Sequence, residues 1–80
     1  MSEFVATFHT HLSAMLSFQA LQNAGCKAKM QPVPRALSSS CGTCVRFSAE
    51  CDCRHLLDTD AEALYAVENS AYRLLWQNED

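Results

Sequence analysis

The sequence has little glycine and little proline, with two of each in 80 residues. Linkers, collagen-like segments and low-complexity tails need far more of both, so these classes are excluded. No apolar run approaches the roughly 18 residues that would cross a bilayer. The chain starts Met1-Ser2-Glu3 without the basic flank of a secretory signal. We therefore expect a cytoplasmic protein that has no membrane partner.

Acidic residues are missing from Phe4 to Ala49, a segment that holds four basic residues, Lys27, Lys29, Arg35 and Arg46. Four positive charges are too few for a nucleic-acid-binding stripe, and we expect no nucleic-acid partner. They do predict a local environment that attracts anions. The sequence also lacks a catalytic triad and a phosphate-binding glycine loop, which disfavours a conventional hydrolase or nucleotide enzyme. Whether the protein is an enzyme stays open.

Hydrophobic residues make up 49% of the chain, enough for one small domain over residues 1–80. Alternating apolar residues predict strands over residues 3–8, 26–31 and 43–48. A helix is predicted from Thr10 to Ala24, with Thr10 as its cap and Gly25 as its stop. Residues 53–57 favour a short second helix. Two strands around an Asn69-Ser70 turn fit residues 63–77, although a helix over residues 60–75 also fits the periodicity.

This order of elements predicts an α+β fold, the ferredoxin-like βαββαβ plait, with an extra C-terminal strand as an option. In that topology the first two strands run the same way. The loop from Pro32 to Gly42 should therefore emerge beside His9 and the start of the helix. The helix is apolar on more than one face, so we expect a homodimer or another partner to cover the face that the sheet leaves open.

Five cysteines in so short a chain indicate metal ligation, redox chemistry or a sulfur nucleophile in a reducing compartment. Cys41 is the best candidate for a nucleophile, because Arg35 and Arg46 lie nearby in sequence and the predicted helix N-terminus faces it. Positive charge and oriented N–H groups favour a thiolate over a thiol. Cys44, three residues on, is the natural resolving thiol.

The residues around Cys41 suit an anion. Ser39 and Ser40 supply hydroxyl and backbone donors, and Gly42 permits a positive φ or a close backbone approach to a ligand. His9 would join this loop from the end of the first strand. We interpret these residues as an anion-binding loop.

Cys41, Cys44, Cys51 and Cys53 could instead form a four-thiolate zinc or iron–sulfur site. The predicted third strand would separate the two pairs by about 15–20 Å. We therefore expect no metal and no cofactor, with Cys51 and Cys53 as thiols without a role. Cys26, at the start of a strand, is predicted to be a small buried apolar residue.

Parts of the sequence resemble a family of small bacterial proteins described only as selenium/sulfur carrier-like. The residues that carry the resemblance are Thr7-Phe8-His9, Ala24-Gly25, Arg46-Phe47 and, most specifically, Pro32-Val33-Pro34-Arg35-Ala36-Leu37-Ser38-Ser39-Ser40-Cys41-Gly42. The resemblance spans about residues 4–48. It implies a small plait-like domain whose functional cysteine is Cys41. Pro34, Arg35, Ser39, Ser40 and Gly42 would form the surrounding loop.

The leading hypothesis is that Cys41 accepts a sulfur or selenium atom from a donor protein and passes it to an acceptor protein. Arg35 and the serine loop would stabilise the persulfide or selenenylsulfide, and Cys44 would release the atom by forming a disulfide. One alternative is a thiol redox module that uses Cys41 and Cys44. The four-thiolate metal module and a partner-binding accessory domain are the other two.

Overall fold

The computed structural model describes residues 1–79, which form a five-stranded sheet and one α-helix. The elements in chain order are β1 (Ser2–Phe8), α1 (His11–Asn23), β2 (Lys27–Pro32), β3 (Thr43–Ala49), β4 (Ala61–Glu68) and β5 (Ala71–Gln77). The predicted α+β class is confirmed. None of the helices in this part of the chain is long and apolar enough to cross a membrane.

The strands lie in the order β2-β3-β1-β4-β5, and each neighbouring pair is antiparallel. Since β1 and β2 are both antiparallel to β3, they run the same way, as the sequence predicted. They finish at one end of the sheet, where β3 and β4 begin, and we call this the Cys41 end. The opposite end, where β1 and β2 begin and β3 and β4 finish, is the Cys53 end.

Helix α1 begins and ends where its capping residues predict. The Thr10 hydroxyl accepts a hydrogen bond from the Ser13 backbone N–H at 3.1 Å, and Gly25, just past the end, has a φ of +90°. Ala14 and Leu21 are fully buried against the sheet. Leu12 and Leu16 point away from it, with 62% and 45% of their surface exposed. One apolar face of α1 is therefore open to a partner.

The core lies between α1 and one face of the sheet. The side chains that β1 and β3 contribute to this core occupy alternate positions, because successive residues of a strand point to opposite faces. Phe4 and Phe47 pack with their ring centroids 5.3 Å apart, and Phe8 and Leu64 complete this layer. The result is a thin two-layer domain.

The short second helix predicted over residues 53–57 is wrong in extent. The described chain forms only one turn of 3-10 helix there, Arg54–Leu56, which begins after Cys53 in a left-handed conformation. A turn this short cannot cover the sheet as a second plait helix would. The structure therefore supports the α+β class, with the strand order β2-β3-β1-β4-β5.

The C-terminal hairpin is confirmed over the alternative helix. β4 and β5 pair through an Asn69-Ser70 turn in which both residues have positive φ, 51° and 64°. Two consecutive positive φ angles are typical of the type I′ turn, whose twist matches that of the flanking strands. The turn is thus encoded locally, and β5 becomes an edge strand.

Candidate functional site

The loop that carries Cys41 closes the gap between β2 and β3. Val33 donates its backbone N–H to the Gly42 carbonyl at 3.2 Å, which extends the ladder past the ends of the two strands. Leu37 closes a turn on the Pro34 carbonyl at 3.0 Å. Gly42 has a φ of +74°, a backbone conformation that would be strained for a residue with a side chain. These contacts hold the loop at the Cys41 end.

Cys41 is half-buried and packs against the core cluster on the α1 side of the sheet. Its Sγ lies 3.4 Å from the Thr43 carbonyl oxygen, to which the thiol donates. The Ser39 Oγ is 3.9 Å from the same sulfur. Ser39 also donates its hydroxyl to the Phe8 carbonyl at 2.8 Å, which ties the loop to the end of β1. The Cys41 thiol therefore lies beside the Ser39 hydroxyl, which is held in place by Phe8, and it remains partly accessible to solvent.

Helix α1 starts beside this loop, as predicted. The Nδ1 of His11, its first residue, lies 3.5 Å from the Thr43 hydroxyl. This contact brings the beginning of the helix to the beginning of β3, next to the loop. The arrangement follows from β1 and β2 finishing at the same end of the sheet.

Ser40 and His9 meet at a carboxylate that the sequence analysis did not single out, Glu62 of β4. The Ser40 backbone N–H and hydroxyl donate to the two Glu62 oxygens at 3.1 and 2.7 Å. His9 Nδ1 is 3.2 Å from Glu62 Oε2. Burial alone would raise the pKa of Glu62, but the hydrogen bonds from the serine loop and the charge of His9 outweigh it and hold the pKa below its usual value. Glu62 is thus an ionised anchor for the loop.

The two arginines that the sequence placed near Cys41 lie in different surroundings. Arg35 lies exposed in the turn that follows Pro34. Arg46 forms a two-pronged ion pair with Glu3, with both nitrogen–oxygen distances at 3.1 Å. The guanidinium of Arg46 is therefore paired with a carboxylate on the sheet.

Cys44 is fully buried in β3. Its neighbour Val45 packs in the core cluster on the α1 side, so Cys44 points to the opposite face of the sheet. Its Sγ lies 3.6 Å from the Pro32 carbonyl. Burial is the main reason that the pKa of Cys44 lies above its usual value. Cys41 and Cys44 are both free thiols.

The alternative four-thiolate metal site is not formed. Cys41 lies before β3 and Cys51 and Cys53 lie after it, so the seven-residue strand separates them by about 20 Å. Among residues 1–79, no group of three or more His, Cys, Asp or Glu side chains is arranged to hold a metal ion. Cys53 is instead close to both Cys51 and Cys26 at the opposite end of the sheet.

A comparison with known families found a match. The model of the family described as "Putative Se/S carrier protein-like" covers residues 3–68. This range includes the whole Cys41 loop, Glu62 and the cysteines of the Cys53 end, so it extends well beyond the 4–48 stretch that carried the resemblance. Searches among curated proteins and among solved structures found no match.

Proposed function

Because this chain belongs to the Se/S carrier protein-like family, we propose that it carries a sulfur or selenium atom on Cys41. The observation that carries the proposal is the placement of the thiol. Cys41 is half-exposed in a loop that is fixed to three elements: to β1 through Ser39, to β4 through Ser40, and to the end of β2 through Val33. A thiol that is both accessible and held in place suits the repeated transfer of one atom between proteins.

The loading step needs no cofactor. The Cys41 thiolate attacks the outer sulfur of a donor persulfide, a new S–S bond forms on Cys41, and the donor leaves as a thiolate that takes up a proton. The Ser39 hydroxyl, 3.9 Å from Sγ, would turn from the Phe8 carbonyl to donate to the new terminal anion. Arg35, His9, Ser40 and Gly42 would shape the loop that receives it.

Release can follow two routes. An acceptor thiol can attack the terminal atom, or Cys44 can attack the Cys41 sulfur, expel hydrosulfide and leave a Cys41–Cys44 disulfide that a cellular thiol must reduce. The second route requires Cys44 to leave its buried position on the other face of the sheet. We therefore favour direct transfer to an acceptor and keep the attack by Cys44 on the loaded Cys41 as the second route.

We also propose that the sheet is a ferredoxin-like plait with a reduced second helix. Two observations support it: α1 connects two strands that run the same way, and β3 lies between them. The Arg54–Leu56 turn would stand where the plait has its second helix, and β5 would be the added strand.

The test uses inorganic polysulfide as the donor, followed by intact mass and trypsin digestion. Trypsin releases residues 36–46 as one peptide that contains both Cys41 and Cys44. We expect an added sulfur atom on this peptide in the wild type and in Cys44→Ser, and its loss in Cys41→Ser. Added sulfur that persists on this peptide in Cys41→Ser would overturn the proposal. A Cys41–Cys44 disulfide in the wild type, together with no added atom in Cys44→Ser, would favour the thiol redox module.

A further inference from the structure

Three cysteines from two distant parts of the chain, Cys26 and the Cys51–Cys53 pair, meet at the Cys53 end. The Cys53 sulfur lies 3.7 Å from that of Cys51 and 3.9 Å from that of Cys26. Cys26 precedes β2 and the other two follow β3, so the antiparallel pairing of these strands brings them together. Cys53 is the shared member of both contacts. This cluster is separate from Cys41, which lies beyond the length of β3.

The three thiols differ in their access to solvent. Cys51 is exposed, Cys26 is half-buried and Cys53 is buried, with only 6% of its surface exposed. Cys53 also has a left-handed backbone, with φ 52° and ψ 28°. A reagent from solution therefore reaches Cys51 first, because Cys53 is shielded from solvent.

Cys51 also lines an open surface recess of about 710 Å³ beside β4 and β5. Each carboxylate that lines the recess is paired with an arginine; the pairs are Glu3–Arg46, Asp52–Arg54 and Glu68–Arg73. These matched charges suit a small uncharged molecule better than an anion or a cation. The recess is large enough for a small disulfide.

The buried position of Cys53 affects its reactivity. Desolvation, together with the hydrogen bonds and charges of Cys51 and Cys26, raises the pKa of Cys53 to about 12. At neutral pH this sulfur is therefore a thiol, and it attacks more readily as the pH rises. It is suited to the second, intramolecular step, where a covalently held partner compensates for a small thiolate fraction.

We propose that Cys51, Cys53 and Cys26 form a second thiol site, which reacts with small neutral disulfides independently of Cys41. The Cys51 thiolate attacks the disulfide, forms a mixed disulfide and releases one small thiol. Cys53 then attacks the Cys51 sulfur, closes a Cys51–Cys53 disulfide and releases the second small thiol. Two protein thiols are oxidised, one external disulfide is reduced, and the two protein protons go to the released thiols.

The third thiol gives this site a second oxidised form. Cys26 lies on the other side of Cys53 and can attack the Cys53 sulfur, which returns Cys51 to a free thiol and leaves a Cys26–Cys53 disulfide. This exchange consumes no further oxidant. It moves the disulfide from the exposed loop to a bond between β2 and the segment after β3, and frees Cys51.

Tryptic peptides distinguish these products. Cys51 and Cys53 share the peptide of residues 47–54, whereas Cys26 lies in the peptide of residues 1–27. The reduced full-length protein is incubated with hydroxyethyl disulfide, its remaining thiols are blocked, and it is digested. We expect peptide 47–54 to have lost two hydrogens and a second fraction to appear cross-linked to peptide 1–27. Mixed disulfide retained on Cys51 without either product would overturn the proposal.

Serine variants provide the controls. Cys53→Ser should lose both internal disulfides and accumulate the mixed disulfide on Cys51, and Cys26→Ser should lose only the cross-link. Cys41→Ser should behave as the wild type, and its thermal unfolding verifies that the fold is intact. If Cys53→Ser still forms the cross-link, or if the wild type reacts at Cys51 only in denaturant, the site does not exist in the folded protein.

Discussion

Glu62 connects the Cys41 loop to the rest of the molecule through a charge that is largely withdrawn from water. Only 20% of its side chain is exposed, and it accepts two hydrogen bonds from Ser40 while facing His9. A carboxylate in this position stabilises the loop only while it is ionised. The loop that bears the thiol therefore depends on the protonation state of a residue on another strand.

Replacing Glu62 with glutamine should lower the free energy of unfolding at neutral pH by about 1.5–3 kcal/mol, the range for hydrogen bonds to a charged group. The folded-state pKa of Glu62 lies below its ordinary value, so its stabilising contribution is complete above that ordinary value. The contribution is lost as the pH falls through the folded-state pKa. Urea unfolding at several pH values should therefore show the two proteins converging in acid.

Glu68→Gln is the matched control for this experiment. Glu68 also has a lowered pKa from its pairing with an arginine, Arg73, but the pair is exposed on the hairpin. Exposed pairs contribute little to stability. We expect Glu68→Gln to have the same urea midpoint as the wild type. Equal stability of Glu62→Gln and the wild type at neutral pH would contradict the anchoring role of Glu62.

The sequence located the loop residues but not their partners. The serine run, the glycine and Cys41 are adjacent in the chain, so their shared position could be predicted. The contact with Glu62 could not be predicted, because the sequence shows only which residues are near Cys41 along the chain. Glu62 is distant in sequence and reaches the site because β4 pairs with β1. The Cys26–Cys53 contact was missed for the same reason, since it depends on the pairing of β2 with β3.

At the scale of elements, the strands and the helix could be predicted because their signals are local. Alternation determines the strands, Thr10 and Gly25 bound α1, and the Asn69-Ser70 pair favours the turn between β4 and β5. A short second helix was predicted over residues 53–57, but only one 3-10 turn forms there. Its start at the left-handed Cys53 and its few residues leave no room for a regular helix.

The β4–β5 turn provides a test at this scale. Ser70 has a φ of 64°, a conformation that glycine adopts without a steric cost. Ser70→Gly should relieve about 1 kcal/mol of strain, partly offset by the greater entropy of glycine in the unfolded chain. We expect Tm to rise by about 2–4 °C in a domain of this size.

Ser70→Ala is the comparison for the turn, because it removes the hydroxyl and keeps the strained side chain. Its Tm should stay at or below that of the wild type. If the glycine and alanine variants have the same Tm, the left-handed conformation of Ser70 does not limit the stability of the hairpin.

At the scale of the whole molecule, α1 covers one face of the sheet and leaves its own outer face bare. Leu12, Met15 and Leu16 form an exposed apolar strip that starts one turn from the Cys41 loop. Contiguous exposed apolar surface marks an interaction site more often than it marks a solvent face. A protein that docks on this strip would lie close to the thiol that we propose carries the atom.

We predict that the protein self-associates through this strip and that Leu12→Gln/Leu16→Gln abolishes the association. Sedimentation velocity at increasing protein concentration measures it directly. Leu74→Gln is the control, because Leu74 is similarly exposed, at 50%, but lies on β5. A wild type that sediments as a monomer at every concentration would contradict self-association and leave the strip to a donor or acceptor protein.

The position of β1 in the middle of the sheet has a consequence for biosynthesis. Both neighbours of β1, β3 and β4, follow it along the chain, and the pairing with β4 extends to Val67. Contacts between residues so distant in the chain form slowly, since a long loop must close before they are made. The edge of β1 that pairs with β4 therefore stays open until residues 61–67 have been synthesised, and this open edge exposes the nascent chain to aggregation during that interval.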